Sequence, residues 1–145
     1  LLQKTSESTD ASAGILAPAL RALTNRAAGA TPRLYIHIAQ ESQREPARQL
    51  ELLLEQATIN GDHLVIPGIE LVPSFNAASQ VRCFRVQECQ SDGGPIVETI
   101  NQLLNTPKVR LEDASATYGD ATNIRDRHYE LWLGPGEITL RDRAG

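Results

Sequence analysis

The sequence predicts an α+β fold: a split β-α-β sandwich of order β-α-β-β-α-β with a fifth strand, and both helices on one sheet face. Two observations carry this. A strand-type run, an amphipathic helix and a second strand-type run occur twice, first over residues 34–39, 43–57 and 63–72, then over 81–88, 95–104 and 109–112. Beyond that repeat, residues 128–133 alternate apolar and polar once more. Two helices on one face leave the other face open, and the open face is where small modules of this kind bind.

Each element has its own signal. Leu34, Ile36 and Ile38 alternate with Tyr35, His37 and Ala39, the period of a half-buried strand. In the helix that follows, Ala47, Leu50, Leu54 and Ala57 share one stripe beside Leu53, while Arg44, Arg48, Glu51 and Glu55 lie outside it. Pro46 suits the first turn of that helix. Asn60-Gly61-Asp62 marks a tight turn, and Pro67-Gly68 interrupts the next strand, predicting a bend near a sheet edge. Val81 and Cys83 then alternate with Arg82 and Phe84. Ser91-Asp92-Gly93-Gly94-Pro95 enters the second helix, whose stripe is Ile96, Ile100, Leu103 and Leu104, and Thr106-Pro107 ends it. Residues 114–126 read as a polar, mobile connection. Tyr129, Leu131 and Leu133 form the apolar side of the fifth strand against His128, Glu130 and Trp132.

The organisation along the chain is a linker with a short amphipathic helix over residues 1–32, an α+β domain over 33–136 and a charged tail over 137–145. Leu16, Leu20, Leu23 and Ala27 carry the helical spacing of the first part, with Gly29 as its stop. The sequence begins at Leu1 and contains no Met, so a piece of a longer protein is expected, with any membrane tether outside it.

At 145 residues the chain can bury a core without disulfides or metals, and with aromatics at 4% that core falls to Leu, Ile, Val and Ala. A net charge of −4 argues against nucleic-acid binding through bulk electrostatics. Cys83 and Cys89, if both lay on one extended strand, would be roughly 20 Å apart at about 3.3 Å per residue, too far for a disulfide, so reduced, partly buried thiols are expected.

Known chemistries find little purchase. His37, His63 and His128 lack metal-ligand spacing, no nucleophile elbow is present, and Gly93-Gly94-Pro95 lacks both a dinucleotide fingerprint and a P-loop lysine. Glu41, Glu45 and Glu51 read as a solvated helix face. No catalytic residue, metal or cofactor is expected. An RNA-recognition sheet shares the topology, but Val81-Arg82-Cys83-Phe84-Arg85-Val86 supplies one aromatic and no glycine where such a strand needs several.

The candidate site is the open face. With Leu34/Ile36/Ile38, Val81/Cys83 and Tyr129/Leu131/Leu133 turned to the helices, the opposite face carries Tyr35, His37, Arg82, Phe84, His128, Glu130 and Trp132. Rings can stack on a sugar or base, and Arg and His donate to hydroxyls, carboxylates or phosphates. The alternative is that Tyr35, Phe84 and Trp132 form a second apolar cluster beneath the N-terminal helix, whose Leu16, Leu20 and Leu23 need a surface to cover.

Arg33-Leu34-Tyr35-Ile36-His37-Ile38, a helix starting near Pro46-Ala47, a bent strand, Val81-Arg82-Cys83-Phe84 and a second helix together resemble small α/β modules of bacterial cell-envelope proteins, the LytR C-terminal-type and sporulation-related repeat (SPOR) domains. The resemblance covers a little over half the chain and rests on pattern, with no invariant motif. It implies binding of peptidoglycan glycan strands at Tyr35, His37, Arg82 and Phe84. Trp132, on the added strand, departs from the family pattern. The expected function is a non-catalytic ligand-binding or sensor module of a larger envelope-associated or signalling protein. The competing expectation is a protein–protein interaction domain, including a homo-oligomer, without glycan affinity.

Overall fold

The computed structural model describes residues 30–118 and 123–142, so the helix expected over residues 16–27 lies outside the described residues. Strand β1 (Arg33–Ile38) leads through a single 3-10 turn into helix α1 (Arg44–Leu54). A two-residue hairpin follows, β2 (Thr58–Ile59) against β3 (Asp62–His63). Its loop, Asn60-Gly61, takes positive φ at both positions (51° and 87°), the geometry for which Asn-Gly is favoured. After the Pro67-Gly68 interruption comes β4 (Ile69–Leu71), which pairs parallel to β1 and forms one edge of the sheet, as the sequence predicts.

The second unit runs from β5 (Gln80–Cys83) to α2 (Val86–Glu88), a π-helical turn (Cys89–Gly93), α3 (Gly94–Leu103) and a short β6 (Leu104–Thr106). Strand β7 (Arg110–Asp113) then pairs parallel to β5 at the other edge. A four-residue helix, α4 (Ser115–Tyr118), precedes the gap at 119–122, and β8 (His128–Trp132) and β9 (Thr139–Leu140) complete the chain.

The main sheet has five strands in the order β4-β1-β8-β5-β7. Each β-α-β unit keeps its two strands adjacent and parallel. The fifth strand, β8, is not appended at an edge: it lies in the centre, parallel to β1 and antiparallel to β5. Leu34, Ile36, Ile38, Val81, Cys83, Tyr129 and Leu131 turn to one face and are buried there with Ala47, Leu50 and Leu54 of α1 and Ile96, Ile100 and Leu103 of α3. Both helices therefore cover the same face, and the fold is the α+β sandwich that the alternation implies. Each large apolar side chain buried there contributes about 1.5–3 kcal/mol, which makes this layer the main support of the fold.

Two features of the sequence reading change. The strand expected over residues 81–88 stops at Cys83, because the backbone turns into helix at Val86. That turn brings the Cα atoms of Cys83 and Cys89 to 5.4 Å, and the two sulfurs form a disulfide. The expectation of free thiols failed because it assumed one extended strand. The residues read as a charged tail also belong in part to the domain: Ile138 is buried in the core and β9 pairs antiparallel with β6, while residues 143–145 lie outside the described part.

The exit of β8 is fastened to the entry of α1 by Gln43, which is 1% exposed. Its Oε1 accepts from the backbone N–H groups of Ala39 (2.8 Å) and Gln40 (3.1 Å), and its Nε2 donates to the carbonyls of Gly134 (2.7 Å) and Gly136 (2.8 Å). Gly134 is required here by close approach, since a Cβ would collide with the Ala77 carbonyl oxygen.

Candidate functional site

The strand register builds the open face row by row. His37 of β1 stands opposite Trp132 of β8, and Trp132 stands opposite Gln80 of β5. In the next row Tyr35, Glu130 and Arg82 are neighbours, with Glu112 of β7 beyond. Glu70 of β4 flanks His37. Tyr35, His37, Arg82, His128, Glu130 and Trp132 are all half-buried on this face, as alternation predicts.

The rings and charges are organised around Trp132. His37 stacks on one side of the indole, with centroids 3.9 Å apart and planes inclined by 14°. The Arg82 guanidinium carbon lies 4.4 Å from the indole centroid, in cation–π contact. Phe75, from the loop before β5, approaches the same ring at 5.2 Å and the Arg82 guanidinium at 5.7 Å. Glu130 joins the cluster from below: one oxygen accepts from Trp132 Nε1 (2.9 Å) and the other sits 2.8 Å from His128 Nε2. Tyr35 and Phe84 contact the His128 ring at 4.7 Å and 5.4 Å.

Burial and these contacts shift two groups. Desolvation lowers the His37 pKa below the ordinary 6.5, outweighing the pull of Glu130 and Glu70 and the Leu131 carbonyl 3.4 Å from Nδ1. For Glu130, burial alone would raise the pKa, but hydrogen bonds from His128 and Trp132 bring it below the usual carboxylate value. At neutral pH the face thus presents a neutral His37, an ionised Glu130 already fully engaged, and the Arg82 cation.

Of the seven residues singled out in the sequence, six meet on this face. Phe84 presents no exposed ring there: it lies just past the end of β5 against the His128 ring and is 4% exposed. Its expected role as a ligand-stacking ring is corrected to a packing role. Trp132 contributes less free surface than alternation suggests, since its ring already packs against His37, Arg82 and Phe75. Phe75 and Glu70 were missed. Phe75 sits in an irregular loop, where no periodicity assigns it to a face, and Glu70 lies in the bent strand, where Pro67-Gly68 obscures the register.

Beside the cluster, at the β1/β4 edge, lies a shallow cleft of about 220 Å³ lined by Tyr35, Ile36, His37, Pro67, Gly68, Ile69 and Glu70. Its mouth carries Glu70, whose side chain is 75% exposed. The cleft offers polar groups and a ring to a group the size of one sugar.

A second polar cluster lies on the helix side and fixes the start of β8. Arg127 is wholly buried at φ 58°, with Nε and Nη2 donating to the two carboxylate oxygens of Asp92 (2.9 and 3.1 Å) and Nη1 to Asp62 (2.7 Å). Its backbone N–H donates to Glu88 Oε2 (2.8 Å), Tyr129 donates its hydroxyl proton to Asp92, and Asn60 Nδ2 donates to Asp92 at 2.7 Å. These partners are committed to one another, so the cluster reads as scaffold.

Cys83, Cys89 and Asp113 place potential ligand atoms within 4.8 Å, but the two sulfurs are bonded to each other and offer no thiolate. Among the described residues no helix is long and apolar enough to cross a membrane. Comparisons with protein-family models, with curated proteins and with solved structures find no match to this chain.

Proposed function

We propose that this domain is a non-catalytic binding module that takes a glycan on its open sheet face, as part of a larger envelope-associated protein. The observation that carries the reading is the ordered array on that face. His37, Trp132, Arg82 and Glu130 hold one another in place before any ligand arrives, so little side-chain freedom is lost on binding. The adjoining cleft supplies a concave seat with Tyr35, His37 and Glu70 around it. Two further points support the reading. Glu130, the carboxylate at the centre of this face, is held ionised and doubly hydrogen-bonded, which suits positioning better than proton transfer. The Cys83–Cys89 disulfide fits an oxidising compartment such as the extracytoplasmic side of an envelope.

Retention on purified peptidoglycan tests the proposal, with Trp132 fluorescence as a local readout because it is the single tryptophan of the chain. Retention with a changed Trp132 emission supports glycan binding at this face. No retention, together with a stable dimer by light scattering, favours the assembly alternative.

A further inference from the structure

We propose that Arg82 is the anchor for a carboxylate carried by the saccharide that lies across the open face. The inference rests on the reading of that face as a glycan site and adds the chemical class of the ligand. Arg82 is held on several sides by its own protein. Its Nε donates to Gln80 Oε1 at 2.9 Å, and its guanidinium packs against Trp132 at 4.4 Å and Phe75 at 5.7 Å. The two terminal amino groups, which form the outer fork, have no hydrogen-bond or ion-pair partner among the described residues.

The carboxylates around Arg82 do not neutralise it. Glu130, its cross-strand neighbour, spends one oxygen on Trp132 and the other on His128. Glu112, its neighbour on β7, lies 4.0 Å from Arg110. What remains is a half-buried cation with a fixed, unused fork, and a carboxylate is the planar two-oxygen group that such a fork matches. Stacking on Trp132 is a weaker candidate for the primary contact, since that ring is already packed against His37, Arg82 and Phe75.

The rest of the face sets the orientation. The cleft lies at the β1/β4 edge, two strand spacings from β5, or about 10 Å from Arg82. Glu70 at the mouth of the cleft accepts hydroxyl protons and repels a second anion. The neutral, hydroxyl-bearing end of the ligand therefore takes the cleft, and the acid end reaches Arg82. A disaccharide spans that distance.

The test is titration of the protein with cellobiouronic acid and with cellobiose, which differ in a single carboxylate, read by Trp132 fluorescence and backbone amide shifts. The acid is expected to bind at least tenfold more tightly. Arg82→Lys keeps the charge but loses the fork, and is expected to shrink that preference to about twofold or less, the acid losing more affinity than cellobiose. Arg48→Gln, a change of charge on the exposed side of α1, should leave the preference intact. If Arg82→Lys unfolds the domain, shifts of the Arg82 side-chain Nε–H resonance in the unmodified protein decide the point. Equal binding of both sugars overturns the Arg82 anchor and leaves the glycan reading standing. Binding of neither sugar likewise overturns the anchor, and loss of peptidoglycan retention as well overturns both.

Discussion

Arg127 and Asp92 face each other across the helix side of the sheet in a two-pronged ion pair, with both side chains almost wholly out of water at 0% and 1% exposure. The pair joins the π-helical turn ahead of α3 to the residue preceding β8. Removing the cation alone would leave Asp92 buried without its main donor. Arg127→Met is therefore expected to destabilise the domain by about 3–5 kcal/mol, measured by urea unfolding. Tyr129→Phe, which takes away one hydroxyl donor to the same carboxylate, should cost about 1–2 kcal/mol.

The disulfide gives a second expectation. Cys83 and Cys89 are 6 apart in sequence, so the loop they close is short and the constraint on the unfolded chain is modest, about 2 kcal/mol. Reduction, or the double change to Ser, should lower the melting temperature by roughly 6–12 °C. The oxidised protein should show no reaction with a thiol reagent until it is unfolded and reduced.

Acid should weaken the fold in two stages. Burial holds His37 below 6.5, so the unfolded chain binds its proton more tightly than the folded one. Its stabilising share is complete above pH 6.5 and declines as pH falls from there through the lowered folded value. Glu130 is buried, which opposes ionisation, but its hydrogen bonds to His128 and Trp132 prevail and bring it below 4.5. That contribution is present above pH 4.5 and is lost as pH drops through the folded pKa. Melting temperatures taken between about pH 8 and pH 3 should show both declines, and His37→Gln should abolish the first.

Two glycines should respond in opposite directions. Gly134→Ala drives a methyl group into the Ala77 backbone, which cannot yield as a flexible side chain would, and a loss of about 2–3 kcal/mol is expected. Gly94→Ala adds a methyl group into open space at the first turn of α3 and should stabilise by about 0.5 kcal/mol. Thermal melts of the two variants, run side by side, check the contrast.

The strands and helices were legible because alternation and 3.6-residue spacing report burial directly. Leu34/Ile36/Ile38 and Leu50/Leu54 could hardly be read otherwise. The same alternation placed Tyr35, His37, Arg82, Glu130 and Trp132 on one face. Strand order was not legible, since nothing in residues 128–132 distinguishes a central strand from an edge strand. Phe84 and the two cysteines were misread for one reason: the bend after Cys83 carries no glycine or proline to announce it. The Arg127 cluster was invisible because its members, Asp62, Glu88, Asp92 and Arg127, are scattered in sequence and look like ordinary surface charges.

The central position of β8 bears on how the molecule comes into being. Strands β1 and β5 do not pair with each other; the sheet becomes continuous only when β8 slots between them. That strand lies near the end of the sequence described, so a ribosome must emit both β-α-β units before the piece that unites them. Until then each unit exposes a bare inner edge, and synthesis that stops short of residue 128 yields two halves with a slot between them. A strand from another copy could fill that slot, so premature termination invites exchange between molecules. The last strand of the main sheet to appear is its keystone.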